Sequence, residues 1–128
     1  GVVLSDKDKV LMIRRAKEEI GKDGSVLRWA FPGGKQKDDE TREECVKKEI
    51  LAETGYDVVS VKQIAMEINS QISVLIVYHL CRLNSQEPVQ EPCEPHEVAE
   101  IKWVKREEIK SLVTTKIKPT EMKELRIR

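Results

Sequence analysis

The stretch that most constrains the fold is TREECVKKEILAETGY, residues 41–56, because it carries its own start and stop signals. Thr41 and Glu44 have the spacing of a capping box, in which each side chain satisfies a backbone N–H of the first turn. Gly55 stands where a left-handed residue ends a helix. A helix over 41–54 is therefore expected. Projected at about 100° per residue, Cys45, Val46, Ile50, Ala52 and Tyr56 share one arc, and Glu49 and Glu53 fall in its middle. Glu44, Lys47 and Lys48 take the opposite side, with Leu51 as the one apolar exception. Glu49 and Glu53 are neighbours one turn apart. Two carboxylates facing inward repel each other and lose hydration unless a cation compensates, and a divalent metal ion is the simplest one. A rotated helix with both glutamates at the rim, paired with lysine or arginine, is the other reading.

The residues around this helix fit a mixed sheet covered by helices, an α/β fold. GVVLS at the start and VLMIRR at 10–15 are β-rich runs joined by DKDK, which reads as a hairpin. Residues 17–26, with two glycines and alternating charge, read as a loop leading to the strand LRWAF. Residues 57–69 and 72–83, rich in Val and Ile, read as two strands with a turn near Asn69 and Ser70. A proline-rich loop follows, then the strand VAEIKWV and the short helix KREEIKSLV. The tail from Lys116 could form a terminal helix from Pro119. Trp29, Tyr78 and Trp103 read as core residues. No repeat or internal boundary interrupts residues 1–128, so a single domain is expected, able to bury roughly two-thirds of its unfolded surface.

Charge narrows the partners. The 23 basic and 23 acidic residues cancel, so no overall field draws the chain to a nucleic acid polymer or an anionic membrane. Cys45, Cys81 and Cys93 are odd in number and too scattered for a paired metal or redox motif, which suits reduced thiols in the cytoplasm. The most apolar run, ISVLIVY at 72–78, is too short to span a bilayer. The expectation is a soluble cytoplasmic protein.

Gly33 and Gly34, after Pro32, add a backbone that can come close to a ligand. With these glycines in place the sequence resembles the Nudix hydrolases, whose box is G-x5-E-x7-R-E-U-x-E-E-x-G-U with U a bulky apolar residue. Gly34 opens the box, Glu40 follows, and Lys48 and Glu49 stand at the Arg-Glu pair. Ile50 fills the first U, Glu53 the second glutamate of the pair, Gly55 the last glycine and Tyr56 the final U. WAFPGGK before the helix and HEVAEIKWV near the end extend the resemblance. Two positions depart from the box: Ala52 replaces a glutamate and Lys48 an arginine. The lysine keeps a cation able to reach Glu40 but loses planar bidentate geometry.

The resemblance implies an α/β/α sandwich around a mixed β-sheet, and Mg²⁺-dependent (or Mn²⁺-dependent) hydrolysis of a nucleoside diphosphate linked to another group. It implies the Gly33 carbonyl, Glu49 and Glu53 as metal ligands or contacts to metal-bound water, with Glu49 as ligand or general base. Glu97 matches a position that supplies a further ligand or base, and a plain solvated loop role for it stays open. Lys35 and Arg14 are candidates for binding substrate phosphate. The proline and tyrosine that mark the ADP-ribose and dinucleoside polyphosphate subgroups past the box are absent; Gln71 to Val74 occupy that region. This favours a nucleoside triphosphate, including modified ones such as 8-oxo-dGTP, cleaved to monophosphate and pyrophosphate. The alternatives are a nucleotide-binding or regulatory domain with little catalysis, suggested by Ala52, and an ADP-ribose or dinucleoside polyphosphate pyrophosphatase. The resemblance also allows a homodimer.

Overall fold

The computed structural model describes residues 1–20, 26–69, 73–93 and 97–109. Its strands are β1 (Val2–Leu4), β2 (Lys9–Ile20), β3 (Val26–Ala30), β4 (Val58–Asn69), β5 (Val74–Leu83) and β6 (Val98–Lys105). Among the described residues, the helix α1 (Arg42–Thr54) stands between β3 and β4, and a 3₁₀ turn at Arg106–Glu108 follows β6. Five strands lie in the order β3-β2-β1-β5-β4, and β6 pairs with β2. The sheet is mixed because β1 runs parallel to β5, with Val3 opposite Cys81, while the other pairs are antiparallel. Strand β2 is the hub. Val10 pairs with Leu4 and Val104, and Ile13 with Ala30 and Ile101, so β1 and β3 share one edge of β2 and β6 takes the other.

Alternation along β2 sorts the core into two faces, since successive side chains of a strand point to opposite sides. Val10 and Met12 pack with Val2, Val104 and Ile109 on one face. Leu11 packs with Val3, Val58, Cys81 and Leu83 on the other, where Val46 and Ile50 of α1 seal the sheet. Ile50 is fully buried, and burying such a side chain is worth about 1.5–3 kcal/mol. The helix begins as its sequence dictates: Thr41 accepts the Glu44 N–H, and the Glu44 side chain accepts the Thr41 N–H. It ends at Gly55, whose φ of 80° is left-handed and whose N–H donates to the Leu51 carbonyl.

One sequence expectation needs correction. Residues 17–20 and Val26, read as loop, are strand: Glu19 pairs with Leu27 and Ile20 with Val26. Interstrand bonding holds this charged ribbon extended, which local composition could not reveal. The segment from Lys105, read as a short helix, opens as the 3₁₀ turn and passes into helical backbone at Ile109, the rest of it lying outside the described residues. The turn near Ser70 and a terminal helix from Pro119 lie outside the described residues. No described helix is long and apolar enough to cross a membrane.

Candidate active site

Glu53 is the anchor of the site. It is 5% exposed on the inner side of α1, and its Oε1 accepts the Gly33 N–H at 2.7 Å. Burial pushes its carboxyl up to about 7; the Gly33 bond opposes that, and the nearby charges of Glu49 and Glu97 add to it. Desolvation and like charge both favour the protonated acid, while the N–H favours the carboxylate. Glu49, one turn earlier, is partly buried against the glycine pair. A Cβ on Gly34 would lie 2.6 Å from Glu49 Cδ and Oε2, so only glycine leaves the carboxylate its place.

The loop between β3 and α1 is tied down at several points. Lys48 Nζ donates to Glu40 Oε2 at 2.6 Å, and Glu40 Oε1 accepts the Lys37 N–H at 2.8 Å. The lysine thus reaches Glu40. The bond to Lys48, followed by that to the Lys37 N–H, holds the Glu40 carboxyl below its usual range. Cys45 donates its thiol to the Gly34 carbonyl at 3.7 Å. Burial first, then the bond to Glu40, pushes this thiol to about 11, so it remains a protonated donor near neutral pH. Its role is packing, as is that of buried Cys81.

A cleft of about 370 Å³ opens over these groups, lined by Ile13, Arg15, Phe31, Gly33, Gly34, Glu53 and Glu97. The structure therefore brings Gly33, Gly34, Glu53 and Glu97 together, with Glu49 against Gly34. Arg14 and Lys35 are not among the lining residues. Arg14 is paired with Glu100 on the opposite face at 3.4 Å, and Lys35 is exposed. Arg15 and Phe31, missed in the sequence, take the wall. Strand alternation held the signal: Arg15 shares a face with Ile13 and Leu11, the face that α1 covers.

Among the described residues, no three His, Cys, Asp or Glu side chains gather closely enough to hold a metal ion by themselves. The donor set still fits a hard divalent cation. Mg²⁺ is commonly held by one or two carboxylates, with waters and substrate phosphates completing the shell. Glu49 in its glycine cradle and Glu53 beside it supply such a pair.

A mixed sheet, a glycine loop and a helix carrying stacked carboxylates meet at this cleft. A family profile, the NUDIX domain, matches residues 1–124, and the chain belongs to the Nudix hydrolase family. Comparison with curated proteins found no significant match. Among solved structures, an ADP-ribose pyrophosphatase from Streptococcus suis is 24% identical, with a TM-score of 0.58 over 82% of this chain and 69% of its own. A MutT protein from Methanosarcina mazei is 22% identical, with a TM-score of 0.63 over 97% of this chain and 84% of its own. An Ap4A hydrolase from C. elegans is 17% identical, with a TM-score of 0.68 over 97% and 88%. These likenesses establish the shared fold.

Proposed function

We propose that this protein hydrolyses nucleoside triphosphates, oxidised forms such as 8-oxo-dGTP included, to monophosphate and pyrophosphate with Mg²⁺ or Mn²⁺. The observation that carries the reading is the carboxylate pair Glu49 and Glu53: Glu53, bonded to the Gly33 N–H, lines a cleft together with Arg15, and Glu49, one turn earlier, packs against Gly34 at its wall. When bound, the cation supplies neutralisation of pyrophosphate charge and a lowered pKa for an attacking water. Glu53 and Glu49 supply its hard oxygens. Arg15, a planar fork suited to phosphate, faces the charge of the substrate from β2. Glu97, across the cleft, accepts a proton, with Glu49 the other candidate for that role. Ile13 and Phe31 give an apolar wall, and Phe31 is braced edge-on by Tyr78 at 6.2 Å between ring centres. The three free thiols accord with a cytoplasmic protein.

A second reading is favoured by Ala52, where the family box carries a glutamate: a nucleotide-binding domain with weak turnover. The solved relatives named for ADP-ribose and Ap4A keep those substrates in the comparison. Incubation with a nucleotide panel and Mg²⁺, with products separated by chromatography, decides among them. Monophosphate plus pyrophosphate, abolished by EDTA, is the expected result. Orthophosphate alone, or turnover indifferent to EDTA, rejects the reading, and saturable binding without turnover selects the weak-turnover one.

A further inference from the structure

An irregular segment, residues 84–93, lies across the end of α1 beside Glu53. The Asn84 N–H donates to the Asp57 carbonyl at 2.9 Å, the Val89 N–H to the Gly55 carbonyl at 2.8 Å, and the Cys93 N–H to the Ala52 carbonyl at 2.6 Å. Ala52 lies in the last turn of α1, where carbonyls have no partner inside the helix. Gly55 makes the contact sterically feasible, since a Cβ there would lie 2.1 Å from the Gln90 carbonyl oxygen. The Gln90 side chain donates to Cys93 Sγ at 3.3 Å and folds the segment back on itself.

Four residues after Cys93, the Glu97 carbonyl accepts the Ala16 N–H at 2.9 Å, and Glu97 lines the cleft with Glu53. Four residues of chain reach at most about 14 Å. A segment seated on Ala52, the neighbour of Glu53, therefore limits where Glu97 can stand. We propose that residues 84–93 are a strap that positions Glu97 against Glu53, and that Val89 and Cys93 act through their backbone N–H groups as positioning residues for hydrolysis. The catalytic half of this inference rests on the hydrolase reading; the structural half does not.

Two measurements on the intact chain test it. Cys93→Pro and Val89→Pro each delete one amide donor, and Cys93→Ala keeps the amide. Hydrogen exchange at Ala16 reads whether Glu97 is still held. We expect the proline variants to exchange this amide roughly tenfold faster or more, with the amides of α1 unchanged, and Cys93→Ala to restore the protection of the parent. Protection at Ala16 unchanged in both proline variants overturns the strap, whether or not the protein is an enzyme. In kinetics with a nucleoside triphosphate and saturating Mg²⁺, Cys93→Pro should lower kcat roughly tenfold or more and add little to Glu97→Gln, since both act through one carboxylate. Fully multiplicative losses overturn the positioning role. A parent inactive on every nucleotide rejects the hydrolase reading instead, and the exchange measurement alone then decides the strap.

Discussion

Glu53 Oε1 and the Gly33 N–H meet at 2.7 Å across 20 residues of chain, which fastens the end of α1 to the loop that leaves β3. The bond fixes which carboxylate oxygen faces the glycine loop and leaves the second for other work. It also makes the buried carboxylate an acceptor whose charge can be removed without removing the bond.

Glu53→Gln tests that separation. The amide oxygen still accepts the Gly33 N–H, so folding should survive, while the charge that a hard cation requires is gone. Turnover should fall roughly a hundredfold or more, equivalent to about 3 kcal/mol. A folded variant as active as its parent would remove Glu53 from the site. Ala52→Glu, on the partly exposed side of the same turn, should leave turnover unchanged or raised.

The same residue shapes the pH profile of stability without metal. Its folded value of about 7 lies above the ordinary carboxyl value of about 4.3. Between these two values the folded state holds more protons than the unfolded state, so this contribution to stability falls as pH rises from about 4.5 through 7. Denaturant titrations in EDTA should show the decline, of order 1–3 kcal/mol, and Glu53→Gln should flatten it. An identical slope in both proteins would refute the burial argument.

Millimolar Mg²⁺ or Mn²⁺ at pH 8 should raise the melting temperature, since a ligand bound by the folded state stabilises it by mass action. Glu53→Gln should respond much less. A parent whose melting curve ignores both ions would show that the carboxylate pair does not hold them without substrate.

Two glycines should fail differently. A methyl at Gly34 meets the end of the Glu49 side chain, which can swing away, so Gly34→Ala should fold with little loss of stability and lose most turnover. A methyl at Gly55 meets the Gln90 backbone in a left-handed conformation, so Gly55→Ala should lose more than about 1 kcal/mol of stability. Thermal melts and initial rates on the pair should separate the two; equal losses of stability would contradict this account.

His79 should oppose Glu53 in the acid range. It is 3% exposed, its Nδ1 is 2.8 Å from Ser60 Oγ, and its Nε2 is buried without a partner among the described residues. Burial holds its pKa below the usual value, with Arg42 adding to that effect and Glu43 opposing it. The unfolded chain therefore takes up the proton first, and stability present above about pH 6.5 should be lost as pH falls below it. His79→Gln should weaken that dependence in urea titrations between pH 5 and 7; no change would show that another group sets it.

The helix was legible because its determinants are local. The Thr41 and Glu44 cap, the Gly55 stop and the apolar arc all act within a turn or two, and the structure places Val46, Ile50 and Glu53 inward as that arc requires. The reach of Lys48 to Glu40 followed from the same segment. Long-range pairing was not legible. Glu19 and Ile20 are strand because β3 bonds to them, and nothing in their charged neighbourhood announces it.

By itself, the sequence determined the elements that local chemistry enforces: a capped helix, a glycine pair before it, and two carboxylates one turn apart on its inner side. Tertiary structure decided what surrounds those carboxylates. Strand β2 turns Arg15, and not Arg14, toward α1, because the sheet chooses which of two alternating faces the helix covers. Glu97, 44 residues beyond Glu53, lines the same cleft, with its carbonyl accepting the Ala16 N–H of β2, a juxtaposition that requires the chain to return to the sheet and that no local spacing could fix.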